Sequence, residues 1–549
     1  MSAEKAPALI TPRTLSGFRD YLPAVMLARE EVLRRAREVY RSYGFTPIDT
    51  PACESLDVLL GKGGDESDKR IFVVRMVESK KEEMGLRFDL TVPFARFSAQ
   101  YINELGTPFK RYAMGPVWRG ERPGQGRYRE FWQCDFDTIG TTSNAADIEA
   151  ALVINDLFTA LQFDRFEIRI NNRMVLNGLL EQFGVADRTV HVLRAIDKLP
   201  KIGPDAVANE LAMLTPSQAQ YLATKLFNNI AYIFSDTSDG DDQSDAKRTS
   251  FVNSEMEGFS IYLGQQGLSK LAPLVRQELE AIILPRKATK SPQGLLNPKE
   301  LISQFESAIT GIPKEQAEKL LSLVSVSGTN EEVLSVVDDL CGNNPKATEG
   351  VKRLRELLTV AKAAGVPDGR IKIDLSICRG LAYYTGTIYE TFLTDLPGIG
   401  SVCSGGRYDN LASKYTKQVL PGVGASLGVD RLIAAMEELK HPLLTGATTP
   451  AQVLVVNFDA ARLGDYQRIA RALRAAGVSV EVFPDAKKVG VQLGYAEKRG
   501  FKLAVIAGPA EFEQGVWKVK DLAKREEVAI PEAETADRIR QLLSPTGVS

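Results

Sequence analysis

The chain has 549 residues, of which 44% are hydrophobic and 25% are charged, a balance typical of a globular protein with roughly three to four domains. Lys and Arg number 68 and Asp and Glu number 70, so the net charge of −2 gives no global attraction for nucleic acid, and any such binding needs a local basic patch. No apolar run is long enough to span a bilayer and no signal-peptide pattern opens the sequence, which argues against a membrane partner.

Five cysteines are scattered along the chain: Cys53, Cys134, Cys341, Cys378 and Cys403. They form no C-x-x-C pair, which predicts reduced thiols, a cytoplasmic location and no zinc site. The two histidines, His191 and His441, argue against a histidine-based triad or a His-rich metal site. His441 precedes a proline in "LKHPLL" and reads as a linker residue.

The N-terminal part is predicted to form a helix followed by several strands. Val32, Ala36 and Val39 recur at helical spacing over residues 25–43, and Gly44 is placed to end that helix. The next predicted elements are strands over 69–77, 84–92, 109–118 and 129–139, and a helix over 92–105. Consecutive strands with so little helix between them predict a largely antiparallel sheet.

The stretch "FWQCDFD" (131–137) predicts a strand with two different faces. One face is apolar, with Trp132, Cys134 and Phe136, and the other carries Phe131, Gln133, Asp135 and Asp137. The preceding "WRGERPGQGRYRE" (118–130) adds charged side chains at Arg119, Glu121, Arg122, Arg127 and Arg129. One short hairpin therefore gathers many charges of both signs.

Residues from about 165 to 370 are predicted to be mostly helical, with a polar, acid-rich loop over 234–250. Strand patterns return over 370–377, 384–393 and 400–408, and residues 422–439 read as a short strand that runs into a helix. After a linker over 440–450, apolar strands alternate with helices at 461–476 and 486–499. This alternation predicts a separate α/β domain with a largely parallel sheet.

The sequence contains no P-loop, and the glycines at 422, 424 and 428 miss the spacing of a dinucleotide-binding fingerprint. Arginines can bind phosphates instead, because the planar guanidinium forms paired hydrogen bonds and stays charged. Four arginines lie at strand edges or glycine-rich turns: Arg119, Arg127, Arg379 and Arg431. Any one of them alone is more often a surface salt-bridge partner, so their weight comes from the combination.

Three stretches, in this order, resemble the signature motifs of class II aminoacyl-tRNA synthetases. "YGFTPIDTPA" (43–52) is similar to motif 1, and "WRGE" followed by "RYREF" (118–131) is similar to motif 2. "GASLGVDRL" (424–432) resembles motif 3, with Asp430 where the family more often has Glu. Motif 3 is short and weak alone, whereas three motifs in order with suitable spacing are a strong signal.

Further stretches resemble the histidyl-tRNA synthetase family in particular. "RGLAYYTGTIYE" (379–390) and "CSGGRYDNL" (403–411) are similar to its histidine-specific motifs, and "LRFDLTVPFAR" (86–96) matches its eukaryotic-type pattern. Ala382 replaces an aspartate that is usual in the family. The resemblance covers nearly all of 13–230 and 345–545 but leaves out 234–330, which reads as an extra insertion.

The resemblance implies an α+β fold: an antiparallel-sheet class II synthetase catalytic core with a mostly helical insertion, plus a C-terminal α/β anticodon-binding domain. The implied divisions are a disordered N-terminus (1–12), a catalytic core with motifs 1 and 2 (13–165), a helical insertion (166–368) that contains the extra segment 234–330, a catalytic core with the histidine motifs and motif 3 (369–440), and the anticodon-binding domain (451–549).

The resemblance also implies two neighbouring binding sites. ATP is expected against Arg119, Glu121, Arg127 and Arg431. Histidine is expected against Asp89, Leu90, Thr91, Arg119, Gln133, Asp137, Arg379, Tyr383 and Tyr384, with its ammonium at Asp89, Thr91 and Gln133 and its imidazole near Asp137 and the two tyrosines. The expected catalytic residues are Arg119, Arg379 and Arg431. Mg²⁺ is expected with the ATP phosphates, and no metal ligands are assigned to the protein.

The implied reaction is the ATP-dependent activation of histidine to histidyl-adenylate, followed by transfer to the 3′ end of tRNA(His), carried out by a homodimer. The alternative is a non-catalytic paralogue that senses histidine or tRNA as a regulatory module. Such relatives typically lose motif arginines or the C-terminal domain, and both are present here. A ligase for a different amino acid is disfavoured by "RGLAYYTG".

Overall fold

The structure is a computed structural model, and it describes residues 10–60, 70–77, 84–186, 189–211, 314–342, 344–380 and 383–543, with isolated residues between 250 and 276. The predicted N-terminal tail before residue 10, nearly all of the polar loop over 234–250, most of the insertion over 234–330 and Ala382 lie outside the described residues.

The strands of the described residues are β1 (Thr46–Pro47), β2 (Cys53–Ser55), β3 (Val73–Val74), β4 (Met84–Leu86), β5 (Phe109–Trp118), β6 (Glu130–Ile139), β7 (Phe166–Asn172), β8 (Ile371–Ile373), β9 (Thr387–Leu393), β10 (Cys403–Tyr408), β11 (Gly422–Gly428), β12 (Val453–Val455), β13 (Val480–Val482), β14 (Leu503–Ile506), β15 (Val516–Asp521) and β16 (Glu527–Pro531).

The helices of the same residues are α1 (Pro23–Ser42), α2 (Leu56–Leu59), α3 (Thr91–Leu105), α4 (Asn144–Ala160), α5 (Arg173–Gln182), α6 (Thr189–Asp197), α7 (Leu199–Ile202), α8 (Pro204–Leu211), α9 (Lys314–Val324), α10 (Asn330–Cys341), α11 (Pro345–Ala363), α12 (Val429–Glu438), α13 (Leu463–Ala475), α14 (Val489–Arg499), α15 (Pro509–Gln514) and α16 (Glu532–Leu543).

An eight-stranded sheet forms the centre of the molecule, in the order β1-β5-β6-β11-β10-β9-β7-β8. Its inner pairs are antiparallel, and only the outermost pairs, β1 with β5 and β7 with β8, are parallel. This arrangement confirms the predicted antiparallel core. The hairpin of β5 and β6 pairs Arg111 with Asp137, and β11 on the other side pairs Gly424 with Asp137.

Strand β6 has the two faces that its sequence predicts. Cys134 and Phe136 are buried in the main hydrophobic core. There the Phe136 ring packs against the ring of Tyr40 on α1 at 5.2 Å between centroids, and the Tyr40 hydroxyl donates to the carbonyl of Cys134. The opposite face of β6 is therefore free to form a site. Helix α1 ends as predicted, because Gly44 has φ +79°, a conformation that favours glycine.

Two strand predictions need correction. Residues 84–92 are a strand only as far as Leu86, because Asp89 turns the chain: its Oδ1 accepts the backbone N–H of Val92 at 2.9 Å and α3 begins at Thr91. Residues 166–172, predicted within a mostly helical region, form β7 of the central sheet. Phe166, Ile168 and Ile170 alternate with charged residues there, and this period of two is the signal of a strand.

The C-terminal domain has its own sheet, in the order β13-β12-β14-β15-β16. The first three strands are parallel and the last two are antiparallel, so the prediction of a largely parallel sheet holds for only half of it. Val453, Leu503 and Trp517 belong to a core that is separate from the core of the central sheet.

The linker prediction is wrong at its first residues. His441 is only 6% exposed, its ring stacks on Phe163 with centroids 4.4 Å apart, and its Nε2 lies 3.2 Å from the carbonyl oxygen of Gln162. Leu443 and Leu444 also pack against the core of the central sheet. The chain therefore leaves the hydrophobic core of the central sheet only after these residues.

Candidate active site

A cleft opens on the polar face of the central sheet. It is lined by Arg119, Glu121, Gly126, Arg127, Tyr128, Phe131, Gln133, Arg379, Ser401, Val402, Ser404, Ser426, Gly428, Asp430 and Arg431. These residues come from the β5–β6 connection, from β6, β10 and β11, from the start of α12, and from the segments that precede β9 and β10. The cleft thus contains all four residues predicted to bind ATP, together with Arg379 and Gln133 of the predicted histidine set.

Arginines of the cleft are held in place by backbone oxygens. Nε of Arg119 donates to the carbonyl of Phe88 at 2.9 Å, and Nη1 of Arg431 donates to the carbonyl of Ser401 at 2.6 Å. Burial lowers the pKa of Arg431 to about 10, and the positive charges of Arg127, Arg379 and Arg119 add to that effect. Positive charges that repel one another without a ligand are the mark of an anion-binding site.

Two carboxylates fix the more exposed arginines. Glu121 lies 3.1 Å from Nη1 of Arg70 and 3.5 Å from Nη1 of Arg127. Glu390, which is 6% exposed, pairs with Nε of Arg379 at 2.5 Å, and burial raises the pKa of this carboxyl. Because the Arg379 side chain is 47% exposed, one edge of its guanidinium can still reach a ligand.

Asp137 is buried beside a fully buried arginine. Its Oδ2 lies 2.6 Å from Nη2 of Arg111, and its Oδ1 accepts the hydroxyl of Tyr408 at 2.6 Å. A Cβ on Gly424 would overlap both the carbonyl oxygen of Phe136 and the Asp137 carboxylate, so this position of β11 requires glycine. Burial raises the pKa of Asp137 and the charge of Arg111 opposes the rise.

The predicted ammonium site lies on two elements. Asp89 is buried at the start of α3, next to Leu90 and Thr91, and burial raises the pKa of its carboxyl while the charge of Arg119 opposes the rise. On β6, Nε2 of Gln133 donates to Oγ of Ser426 at 2.7 Å, and its Oε1 has no hydrogen-bond partner among the described residues. Acceptor atoms are thus available to an ammonium group.

Tyr383 and Tyr384 lie together below the cleft, with ring centroids 4.5 Å apart and an edge-to-face arrangement. Burial raises the pKa of Tyr383 to about 12, and the nearby charges of Asp89 and Arg119 act on it. Gly380 has φ +70°, and a Cβ there would overlap the ring of Tyr384, so the turn that delivers both tyrosines requires glycine.

Sequence reasoning missed Arg111, Tyr408, Ser426 and Glu390 in this region, and it placed Asp135 on the polar face of β6 without giving it a role. Arg111 and Asp137 are directly opposed in the β5–β6 hairpin, so the register of two recognised strands was an available signal. Tyr408 and Glu390 stand inside quoted motifs. Ser426 and Asp135 face one another across β11 and β6, which only the sheet order reveals.

Asp430, noted as a departure from motif 3, has a structural role here. Its Oδ1 lies 2.5 Å from Nη2 of Arg29 and accepts the Tyr21 hydroxyl at 2.5 Å, and its Oδ2 accepts the backbone N–H of Trp132 at 2.6 Å. It therefore ties α12 to α1 and β6. The shorter aspartate side chain reaches all three partners.

No group of three or more His, Cys, Asp and Glu side chains in the described part of the chain could hold a metal ion. In that part no helix is both long enough and apolar enough to cross a membrane.

Comparisons with known proteins agree with these motifs. The family model for histidyl-tRNA synthetase matches residues 17–225 and 259–432, and the model for an anticodon-binding domain matches 452–542. The first match includes residues 259–330, which the quoted motifs leave outside the resemblance. A histidine–tRNA ligase of Rhodopirellula baltica is 45% identical over 518 residues, covering 94% of this chain and 95% of that protein.

Solved structures of related proteins share the fold. The crystal structure of histidyl-tRNA synthetase from Nostoc sp. PCC 7120 aligns with a TM-score of 0.72 at 30% identity, covering 97% of this chain and 100% of that one. A Bacillus halodurans structure, described as an ATP phosphoribosyltransferase regulatory subunit/histidyl-tRNA synthetase, aligns with a TM-score of 0.59 at 18% identity, covering 90% of this chain and 98% of that one, and shows the shared fold alone. With a family model that matches most of the sequence, the chain belongs to the histidyl-tRNA synthetase family.

Proposed function

We propose that this cleft joins histidine to ATP as histidyl-adenylate and passes the histidyl group to the 3′ end of tRNA(His). The proposal rests on one observation: arginines that can bind a polyphosphate lie beside buried acceptors that can bind an amino-acid cation. Arg119, Arg127 and Arg431 line one part of the cleft, and the buried acceptors Gln133 and Asp137 follow along the same face of β6. A polyphosphate and an amino-acid cation would need this division of charge.

ATP lies against the arginines in this proposal. Arg119 and Arg431 present guanidinium groups whose positions are fixed by backbone carbonyls, and Arg127 extends from the more exposed loop. Glu121 orients Arg127 through its carboxylate. Such preorganised donors stabilise phosphate charge without reorganisation at the moment of reaction.

Histidine lies deeper, along β6. Its ammonium meets Asp89, Thr91 and Gln133, with Leu90 as part of the same turn, and its carboxylate meets Arg119 and Arg379. Its imidazole meets Asp137, Tyr383 and Tyr384. Asp137 is held by Arg111 and Tyr408, so it can accept a ring N–H at a fixed position.

The chemistry follows from alignment. A carboxylate oxygen of histidine attacks the α-phosphorus of ATP, a new P–O bond forms, and pyrophosphate leaves with the electrons of the broken bond. Arg119 and Arg379 flank that path and stabilise the charge that develops on the α-phosphate. No covalent nucleophile on the protein is required, because holding both reactants together supplies much of the rate.

Mg²⁺ enters this proposal with the ATP phosphates. Mg²⁺ commonly keeps several waters and takes one or two carboxylates plus substrate phosphates as ligands. Glu121 also lines the cleft, but Arg70 and Arg127 engage its carboxylate, so the ATP phosphates and water are the proposed ligands. Bound Mg²⁺ would neutralise charge on the phosphates.

The domain over 451–543 reads the tRNA in this proposal. The anticodon-binding model matches 452–542, and the domain has a sheet and core of its own. We also propose that the segments 13–165 and 369–440 form the catalytic core, with 166–368 as the insertion and the cytoplasm as the location. The free thiols of Cys53, Cys134, Cys378 and Cys403 are consistent with a reducing compartment.

A symmetric homodimer completes the proposal. Strand β1, within motif 1, is an edge of the central sheet and both of its residues are exposed. An edge strand offers unpaired backbone groups to another chain. Light scattering at micromolar concentration should give twice the chain mass, and a fully active monomer would exclude this assembly.

Pyrophosphate exchange tests the site assignment. Arg119→Ala and Arg379→Ala should each lower the kcat of histidine-dependent exchange by roughly 10²–10³-fold, since both meet charge that develops in the transition state. Arg165→Ala is the matched control, because Arg165 is 71% exposed and pairs with Asp395 outside the cleft. Exchange at the wild-type rate in either cleft variant would remove that residue from the mechanism.

A further inference from the structure

Strand β6, which lines the cleft at Phe131 and Gln133, also contains a buried carboxylate with no hydrogen-bond partner among the described residues. Asp135 lies on β6 between Gln133 and Asp137, with its side chain on the same face, and it is 1% exposed. Neither of its carboxylate oxygens accepts a hydrogen bond from any residue that the structure describes. The Ser426 hydroxyl is close enough to lower the pKa of Asp135 but does not meet hydrogen-bond geometry.

A buried carboxylate without hydrogen bonds destabilises the folded protein unless a ligand donates hydrogen bonds to it. A buried, unpaired carboxylate forfeits its hydration and gains nothing in return, so native proteins rarely retain one outside a functional site. The charge of Arg111 opposes the rise in the pKa of Asp135 that burial causes, but Arg111 already pairs with Asp137. Asp135 therefore lacks a cation of its own.

The charges around Asp135 indicate which ligand fits. Besides burial, the charges of Asp137 and Asp89 both raise the pKa of Asp135, and the charge of Arg111 opposes that rise. Because Arg111 pairs with Asp137, the carboxylate of Asp135 is left without an ion pair among the described residues. A single ligand cation with several N–H donors would balance the charge and satisfy the unpaired oxygens.

We infer that Asp135 is a further substrate-binding residue, which accepts a hydrogen bond from the α-ammonium of histidine and binds it in its ionised form. This assignment rests on the proposed function. An ammonium group has three donors, and the proposed site offers Asp89 on one side and the free Oε1 of Gln133 on the other. Besides Asp89, Thr91 and Gln133, Asp135 on the same face as Gln133 supplies a second anionic acceptor.

The inference predicts that histidine binding depends on pH through this residue. Burial raises the pKa of Asp135 to about 7 in the free protein, and the charge of Asp137 adds to the rise. Below about pH 7 the carboxyl carries a proton that it must release when the ammonium binds. Histidine should therefore bind more weakly as the pH falls through 7.

Binding titrations with three ligands test the inference on the full chain. The ligands are histidine, histidinol, which keeps the ammonium but lacks the carboxylate, and 3-(imidazol-4-yl)propanoate, which lacks the ammonium. At pH 8, Asp135→Asn should weaken histidine and histidinol by about 10- to 100-fold, the value of a hydrogen bond to a charged group, and should leave the propanoate unchanged. Glu167→Gln, at a carboxylate of β7 outside the cleft, is the matched control.

The affinity ratio between the wild type and Asp135→Asn should be largest above pH 7 and should fall below it. The titration of the ligand is common to both proteins and cancels in the ratio. Equal losses for all three ligands would mean that Asp135 contacts the imidazole, and no loss would mean that it binds nothing; either result overturns the inference. If the chain binds neither histidine nor histidinol, the proposed function itself fails.

A second measurement needs no variant, in case Asp135→Asn does not fold. Calorimetry of the wild type near pH 7, in buffers of different ionisation enthalpy, gives the protons released on binding. After subtraction of the protons that each ligand's own imidazole contributes, known from titration of the free ligands, histidine should release more protons than the propanoate analogue, because only histidine drives Asp135 to ionise. Equal release from the two ligands would overturn the inference.

Discussion

At the scale of the residue, we propose that Asp137 discriminates in favour of the imidazole of histidine. Asp137→Asn keeps the shape of the side chain but removes its charge, so the histidine KM should rise much more than the ATP KM. The change also leaves Arg111 buried without its ion pair, which costs about 3–5 kcal/mol of stability. Steady-state exchange kinetics and chemical unfolding would measure both effects.

Tyr408→Phe is the matched control for Asp137. It removes one hydrogen bond to Oδ1 and keeps the ion pair with Arg111, so both effects should be smaller. If Asp137→Asn changed only the ATP KM, the imidazole pocket would have been assigned to the wrong part of the cleft.

The raised pKa of Asp135 leads to a prediction about stability as well as about binding. Its pKa is raised from 3.8 to about 7 in the folded state, so folding favours the protonated form. The stability that this preference contributes is present below about pH 4 and is lost as the pH rises through 7. Without ligand, Asp135→Asn should therefore melt at a higher temperature than the wild type above pH 7, with the difference vanishing near pH 4. A variant that melts lower at pH 8 would show that Asp135 is already paired.

The residue scale also shows the limit of sequence reasoning. Gln133 and Asp137 could be placed on one face from alternation alone, because a strand has a fixed period of two. Arg111 was missed, because placing it opposite Asp137 needs the register between β5 and β6 in addition to the alternation within each strand. His441 looked like a linker residue because neither its stacking on Phe163 nor its burial leaves a mark in the local sequence.

At the scale of the element, β11 must lie very close to β6. Gly424→Ala would place a Cβ against the carbonyl oxygen of Phe136 and the carboxylate of Asp137, so one strand must shift. We expect a loss of about 1–3 kcal/mol in unfolding free energy and a higher histidine KM, because Asp137 moves with the strand.

Gly494→Ala is the control for that change. Gly494 lies in α14 with no heavy atom within 4 Å of the added Cβ, so alanine should stabilise the helix by about 0.5–1 kcal/mol. Equal stability of Gly424→Ala and the wild type in urea would mean that the two strands can separate freely.

Elements differ in how far their sequences determine them. The bounds of β5, of β6 and of the transition from β11 into α12 were predicted within a residue or two. A long alternation of apolar and polar residues indicates a strand, and a strongly apolar helical face indicates a helix. Strand β7 was missed within a region predicted to be helical. Strands β15 and β16 pair in the antiparallel direction, so the C-terminal sheet is mixed and not largely parallel as predicted. Strand direction depends on which strands become neighbours, which is a property of the whole fold.

At the scale of the molecule, the central sheet and the C-terminal domain have separate hydrophobic cores. We therefore expect that histidine activation and tRNA charging can be separated by truncation. The structure moves the boundary beyond Leu439, because His441, Leu443 and Leu444 pack with the central sheet. A chain that ends at Thr445 should still catalyse histidine-dependent pyrophosphate exchange, since every proposed residue of that step precedes it. It should charge tRNA slower by roughly 10²-fold, because lost RNA contacts misplace the acceptor end.

A chain that ends at Leu439 is the informative comparison. It removes the residues that cover Phe163, so it should unfold at a lower temperature than the longer truncation. Normal tRNA charging by the chain that ends at Thr445 would show that the domain over 451–543 is not the RNA reader.

The central claim is that this chain activates histidine and does not merely bind it. ATP–pyrophosphate exchange by the wild-type protein, measured with each of the twenty amino acids in turn, tests that claim most directly. We expect exchange with histidine alone, since only histidine presents an ammonium, a carboxylate and an imidazole to the cleft together. Binding of histidine without any exchange would identify a sensor and contradict the claim, and exchange with another amino acid would contradict the assigned pocket.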